Sequence, residues 1–291
     1  MARPNVIQLG DEVSIPILYE DRAVLAMDKP AGWMLVPYSW DRTGRNLQLA
    51  ISSSILGGEF WARSRNLKFL KYVHRLDAET SGVLLFAKSQ GALNTFSDLF
   101  ESRRMNKRYL AVVRGIPKKD EWLCDAKLGP DPKEHGRHRV DPKGKQAETL
   151  FKVLDRKEGL ALIEARPFTG RTHQIRIHLA HAGMPIVGDT MYGAAEDRSR
   201  KTAPMGLRAV GLEYLDPFRR RPIKIEAPTG AFIAQFFGER SPFVHDVPNS
   251  TIKPQQLKSR HESQRRENNS GSPAITAKGP VQARSSDPRK R

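Results

Sequence analysis

The apolar runs of this chain are short and lie close to one another. That spacing limits the folds open to it more than any other feature. FKVLD (151–155) and LALIEARP (160–167) flank a turn at Lys157 to Gly159. ILYEDRAVLAMDKP (17–30) reads as two short strands around Glu20 and Asp21, stopped by Pro30. Strands joined by so few residues pair antiparallel, because a parallel crossover takes a dozen residues or more. VLLFA (83–87), RYLAVVRG (108–115) and PIKIEAP (222–228) read as further strands, the first buried by its apolar, branched content. Ser89 suits the N-cap of a helix with Leu93, Phe96 and Phe100 on one face. Thr172 to Ala182 reads as a second helix with Ile175, Leu179 and Ala182 on its apolar face, stopped at Gly183. These elements predict an α+β domain with a central, mainly antiparallel sheet flanked by helices and loops. No fixed-period repeat, phosphate loop or dinucleotide fingerprint occurs.

The chain has 291 residues, enough to bury a sizeable core. A leader over 1–15, a folded domain over 16–240 and a disordered basic tail over 241–291 are expected. The tail expectation rests on the Ser, Pro, Asn and charge that dominate beyond Val247. The lone Cys124 excludes an internal disulfide framework and a cysteine-only zinc site. No signal peptide or apolar span of membrane length is seen, so a soluble, cytoplasmic protein is expected. The formal net charge is +17. The residues from Val247 onward hold 10 basic and 3 acidic side chains, which leaves 39 basic and 29 acidic in the body. The body is therefore basic in its own right, which points to a polyanionic partner such as nucleic acid. The Arg289, Lys290, Arg291 cluster at the end of the tail could grip phosphates or only aid solubility.

Chemistry enters with HRLDAETSG (74–82), where Arg75 and Asp77 stand just ahead of VLLFA. The longer HRLDAETSGVLLFAKS resembles the catalytic motif of the RluA-type RNA pseudouridine synthases. YEDRAVLAMDKPAGWMLVP resembles that family's N-terminal motif, and KRYLAVVRG the strand bearing its active-site tyrosine. TGRTHQIRIHLAHAGMPIVGDTMYG resembles its third motif, and LRAVGLEYLDPF and IEAP follow where the family closes its domain. The likeness runs from about Ile17 to about Phe237, with the motifs in the family's order.

The resemblance implies isomerisation of uridine to pseudouridine in ribosomal RNA, transfer RNA or both. It implies no cofactor, no metal and no membrane, and a monomer is expected. Asp77 matches the catalytic aspartate, Tyr109 the tyrosine that stacks on the base, and Arg176 the cation paired with the aspartate. His74, Arg75, Gly170, Arg171, His173 and Leu212 are the implied substrate contacts, with Arg75 filling the space a flipped uridine leaves. His173, His178 and His181 do not suggest a metal site. On one helix, His173 and His178 would diverge by about 140°, and two ligands are too few. Val36, Arg208 and Asp216 stand where histidines are frequent in the family, so the subgroup is open. Few residues precede the first motif, and no additional N-terminal RNA-binding domain is expected. Two other classes compete: a catalytically silent RNA-binding or ribosome-assembly factor on the same fold, and an N-glycosidic hydrolase. The hydrolase would want a second carboxylate to activate water, for which Glu79 is the nearest candidate.

Overall fold

The computed structural model of the chain describes residues 3–10, 13–35, 45–199, 204–239 and 241–244. All of them belong to the first of two units, Met1–Pro248 and Asn249–Arg291. The strands are β1 (Val6–Leu9), β2 (Val13–Glu20), β3 (Val24–Lys29), β4 (Lys71–Tyr72), β5 (Ser81–Ala87), β6 (Asn106–Arg114), β7 (Glu121–Cys124), β8 (Leu128–Pro130), β9 (His138–Val140), β10 (Thr149–Lys157), β11 (Leu160–Pro167), β12 (Leu207–Leu215) and β13 (Pro222–Glu226). The helices are α1 (Leu47–Leu56), α2 (Phe60–Arg63), α3 (Gln90–Glu101), α4 (Gln174–His181), α5 (Ala195–Ser199) and α6 (Gly230–Phe237).

The main sheet runs β1-β2-β3-β5-β12-β6-β11-β10-β7, with β4 on β5 and β13 on β12. Its pairings are antiparallel except β5 with β12. β10 and β11 close on Glu158 and Gly159, both at positive φ, between the partners Lys157 and Leu160. Positive φ at both turn residues matches the twist of the flanking strands. At the β2–β3 turn, the Asp21 carboxylate accepts the N–H groups of Ala23 and Val24, so a side chain makes the turn.

The unbroken apolar run of β5 follows from its position. Leu84 and Phe86 pack with Leu47 and Ile51 of α1 and Trp61 of α2, while Val83, Leu85 and Ala87 pack with Ala92, Phe96 and Leu99 of α3. A strand covered on both faces has no polar side to alternate with. Gly82 sits at φ +110°, and a Cβ there would lie 2.0 Å from the Ala209 carbonyl oxygen. This glycine permits the close β5–β12 approach that ends in the catalytic-motif loop.

Four expectations change. The segment expected as a leader over 1–15 joins the sheet: β1 pairs with β2, and Ile7 and Ile15 are fully buried. The body passes the expected boundary at 240, since Ser241 is buried and Phe243 packs on the α6 cluster. The rest of the tail, including Arg289 to Arg291, lies outside the described residues, as does Val36. α4 begins at Gln174, not Thr172, because His173 adopts a left-handed backbone with φ 55°. Ala182 is exposed, although Ile175 and Leu179 are buried on the helix face expected for them and Gly183 takes positive φ after the last turn. Among the described residues no helix is long and apolar enough to cross a membrane.

Candidate active site

Two structures converge on Asp77. The loop between β4 and β5 carries it, and α4 brings Arg176 across from the other half of the sheet. Arg176 Nη1 donates to Asp77 Oδ2 at 3.0 Å. The remaining face of the guanidinium is held by Asp189, with Nε to Oδ2 at 2.7 Å and Nη2 to Oδ1 at 2.8 Å. Asp189 is fully buried, and its Oδ1 also accepts the N–H groups of Met191 and Tyr192. Burial would raise the Asp189 carboxyl, but Arg176 and those amides outweigh it and hold it below the usual range. Burial likewise acts to lower Arg176, and the two carboxylates more than reverse this. The cation is therefore permanently charged, fixed on one side and free to present one N–H to Asp77.

The loop itself is fastened by Lys29. Its side chain is fully buried, and its Nζ donates to the carbonyls of Pro30, Ala78 and Thr80 at 2.8–3.0 Å. Desolvation brings this amine down to about 7, opposed by the negative charges of Glu79 and Asp77. Three carbonyl acceptors make a buried ammonium tolerable and tie the segment just after Asp77 to the end of β3.

The cleft at Asp77 has a volume of about 440 Å³ and is lined by His74, Arg75, Asp77, Tyr109, Gly170, Arg171, His173 and Arg176. Eight of the nine residues expected at the site thus come together from three separate chain segments. Tyr109 stands on β6 opposite Ala209 and Ala165. Burial, then the charge of Asp77, push its hydroxyl above the ordinary phenol value, so near neutrality it is protonated.

His173 lies close by for a backbone reason. Its left-handed conformation takes it off the helix, so the angular argument from helix geometry does not apply to it. Its Nε2 is 3.9 Å from Asp77 Oδ1, and its Nδ1 is 2.9 Å from the Tyr192 hydroxyl. Desolvation brings its pKa down to about 4, with Asp77 opposing and Arg176 and His138 assisting. The ring is neutral at pH 7, and the 3.9 Å approach is not an ion pair. The Tyr192 oxygen accepts the His138 N–H, so its own proton can go to His173 Nδ1. That tautomer turns Nε2–H towards Asp77.

Several expected contacts serve the scaffold as well. His74 stacks on Phe100 at 4.5 Å, and its Nε2 accepts the Leu85 N–H. Desolvation and the nearby Lys107 bring it down to about 3, so it is a neutral bolt between the cleft wall and β5. Arg171 Nε donates to the Gln146 carbonyl, and its amide donates to Gln174 Oε1, which also accepts from Thr169. Leu212 does not reach the cleft. It is 2% exposed in the α3 cluster, and Leu207, earlier on β12, supplies the aliphatic wall. Leu207 and Leu212 lie five residues apart on β12, so strand alternation puts them on opposite faces, one towards the cleft and one towards α3. His178 bonds Thr149 and the Ala126 carbonyl while His181 is exposed, so the histidines do not converge.

Sequence reasoning missed Lys29, Lys107, Asp189 and Tyr192. Lys107 lies two residues before Tyr109 on β6, lines the cleft, and donates to the Thr169 carbonyl at 2.9 Å. Burial, then Arg103, bring it down to about 8. Asp189 and Tyr192 lie within the third motif, and their charge and hydroxyl were the available signal.

The profile of the RNA pseudouridylate synthase family matches residues 23–181. The chain belongs to this family. Relatives of the RluA type place it more closely. It is 36% identical over 216 residues to an uncharacterised RNA pseudouridine synthase of Zymomonas mobilis, covering 73% of this chain and 92% of that one. It is 37% identical over 220 residues to ribosomal large subunit pseudouridine synthase C of Escherichia coli, covering 73% of this chain and 66% of that one. The solved structure of human RNA pseudouridylate synthase domain containing 1 superposes with a TM-score of 0.64 at 23% identity, over 88% of this chain and 98% of that one. That likeness shows the same fold, with its mainly antiparallel sheet. Members of the family are isomerases, and this chain is one of that class.

Two departures from the family pattern acquire a place. Arg208 donates to Asp28, Ser81 and the Pro228 carbonyl, pinning β12 to β3 and β5. Asp216 accepts the N–H groups of Phe218 and Arg219 and makes the turn before β13. Both are structural and leave the cleft intact.

Proposed function

We propose that this protein isomerises uridine to pseudouridine in ribosomal RNA, with Asp77 as the catalytic carboxylate. The observation that carries the reading is Asp77 in an open cleft, bonded to an arginine held by a second carboxylate, with Tyr109 beside it. Ribosomal RNA is favoured because the Escherichia coli relative is a ribosomal large subunit pseudouridine synthase.

The reaction breaks the bond from ribose C1′ to N1, turns the base, forms a bond from C1′ to C5, and moves one proton from C5 to N1. No atom is gained or lost. Asp77 either bonds to C1′ or stabilises positive charge there while the base is detached. Arg176 orients the carboxylate through its Nη1–H without supplying a proton. Tyr109 offers its ring as a stacking face, and its protonated hydroxyl can relay a proton only by giving one up as it takes one. Arg75, exposed at the cleft edge, occupies the space left by the flipped uridine and meets a phosphate. Arg171, Lys107 and the Gly170 backbone form the opposite anionic-strand contact. The hydrolase reading is disfavoured because Glu79, its nearest candidate acid in sequence, is exposed and does not line the cleft, and the other lining carboxylate, Glu101, is exposed at the end of α3.

The test is a map of pseudouridines in ribosomal and transfer RNA from a strain lacking the gene, rescued by wild type or by Asp77→Asn. A ribosomal RNA site restored only by wild type supports the proposal. A site lost from transfer RNA alone moves the substrate, and an unchanged map together with inactivity of the purified protein on bulk RNA overturns the reading.

A further inference from the structure

A second cavity, of about 470 Å³, lies at the opposite end of β5 from Asp77. Its floor is an ion cluster. Glu20 accepts from Lys88 at 2.5 Å and from Arg65 at 2.8 Å, and Arg65 also donates to the Pro4 and Trp61 carbonyls. Burial would raise the Glu20 carboxyl, but the two cations outweigh it and hold it below the usual range. The other acid, Asp21, is consumed by the Ala23 and Val24 amides and the Tyr19 hydroxyl. Three further cations, Arg3, Arg22 and Lys68, line the cavity, are exposed, and have no acidic partner among the described residues. Five cations therefore face two acids, both already hydrogen-bonded within the protein, around one concavity.

We infer that this cavity is a second binding site, which holds the phosphodiester backbone of the RNA whose uridine enters the cleft. The inference rests on the proposed RNA substrate. β5 spans seven residues, so roughly 20–25 Å separate its two ends. The chain from Lys68 runs back beside β5, Lys71 pairing with Ala87, and carries exposed Lys68, Lys71 and Arg75 towards Asp77. Cations thus continue from the cavity to the cleft along one segment. Spare cations without base-reading geometry suit a phosphate backbone, which folded RNA offers in its helical parts. A protein partner is a poorer fit, because among the described residues Leu67 is the only apolar side chain lining the cavity and stable protein interfaces use aromatic or aliphatic anchors.

The experiment measures binding of the full chain to two labelled RNAs, a stem-loop of about 20 base pairs and a single strand of about three nucleotides, at several salt concentrations. Arg22→Glu with Lys68→Glu should weaken stem-loop binding by about ten- to a hundredfold near 0.1 M salt and reduce the salt slope by about two. Affinity for the short strand, which cannot span both sites, should stay within about twofold. Lys118→Glu with Lys119→Glu, exposed residues between β6 and β7, changes net charge equally and should cost far less. Equal losses in both double variants, or no loss in the first, overturn the inference. If wild type binds as expected yet makes no pseudouridine in any RNA, the functional reading fails and the phosphate site stands. Thermal melting of each variant verifies that it is folded.

Discussion

Two arginine–aspartate pairs cross the sheet of this protein, and their carboxylates are equally accessible. Asp77 and Asp28 are each 16% exposed, paired with Arg176 and Arg208 at 3.0 and 2.6 Å. Only one has the arrangement of a reacting group. Arg208 spends its donors on Asp28, a hydroxyl and a carbonyl from three segments, and the second Asp28 oxygen is sealed without a partner. Arg176 is held by Asp189, so Asp77 is an additional acceptor, and its Oδ1 faces a cleft with a neutral histidine and a protonated tyrosine. A buried ion pair by itself does not mark catalysis. The distinguishing feature is a cation whose charge is balanced without the reacting acid.

The strongest way to break this comparison is Asp77→Asn. It should lower kcat on RNA by about 10⁴-fold or more while Tm and RNA affinity change little, since Arg176 keeps Asp189. Retained activity would end the catalytic assignment. Asp28→Asn should do the reverse, because Arg208 is left without a carboxylate. Stability should fall by about 3 kcal/mol in denaturant titration, with kcat of the folded fraction within a few-fold. A large kcat loss there would erase the distinction between the pairs. Asp189→Asn sharpens it. Asp189 is a positioning residue, and loosening the Arg176 clamp should cost about 10²-fold in kcat with KM nearly constant; a change confined to stability would make Asp189 only structural.

The smallest effect concerns pH. His173 in the folded state titrates near 4, below its unfolded value of about 6.5. Its neutral form contributes stability in full above about pH 6.5, and this is lost as pH falls towards 4. Wild type should lose about 1–2 kcal/mol more than His173→Asn between pH 7 and pH 5, read from denaturant midpoints. Parallel curves for the two proteins would show that His173 is not held neutral. His74 adds to the slope in both, so the variant should flatten it only in part.

Much of the fold was legible along the chain. The hairpins at Glu20 and Asp21 and at Lys157 to Gly159, the buried β5 and the Ser89 cap are set by residues within a few positions of one another. Local turn chemistry and apolar periodicity act over that range. Eight of the nine site residues could be named because their motifs resemble a family, and Arg176 could be named as the partner of Asp77 although 99 positions separate them. What resisted reading was the direction of side chains. The resemblance put Leu212 in the cleft, whereas it packs on the α3 face and Leu207 lines the cleft, and the left-handed His173 could not be seen from a helical pattern.

The sequence by itself determined that this chain would form short paired strands around a buried apolar strand, with an acid at the mouth of that strand. Only the tertiary structure decided which acid is sealed against its arginine and which opens on a cleft. Asp28 and Asp77 both follow apolar or basic neighbours and both meet an arginine. Their difference lies in what else each arginine touches, and those partners arrive from segments that only packing brings together.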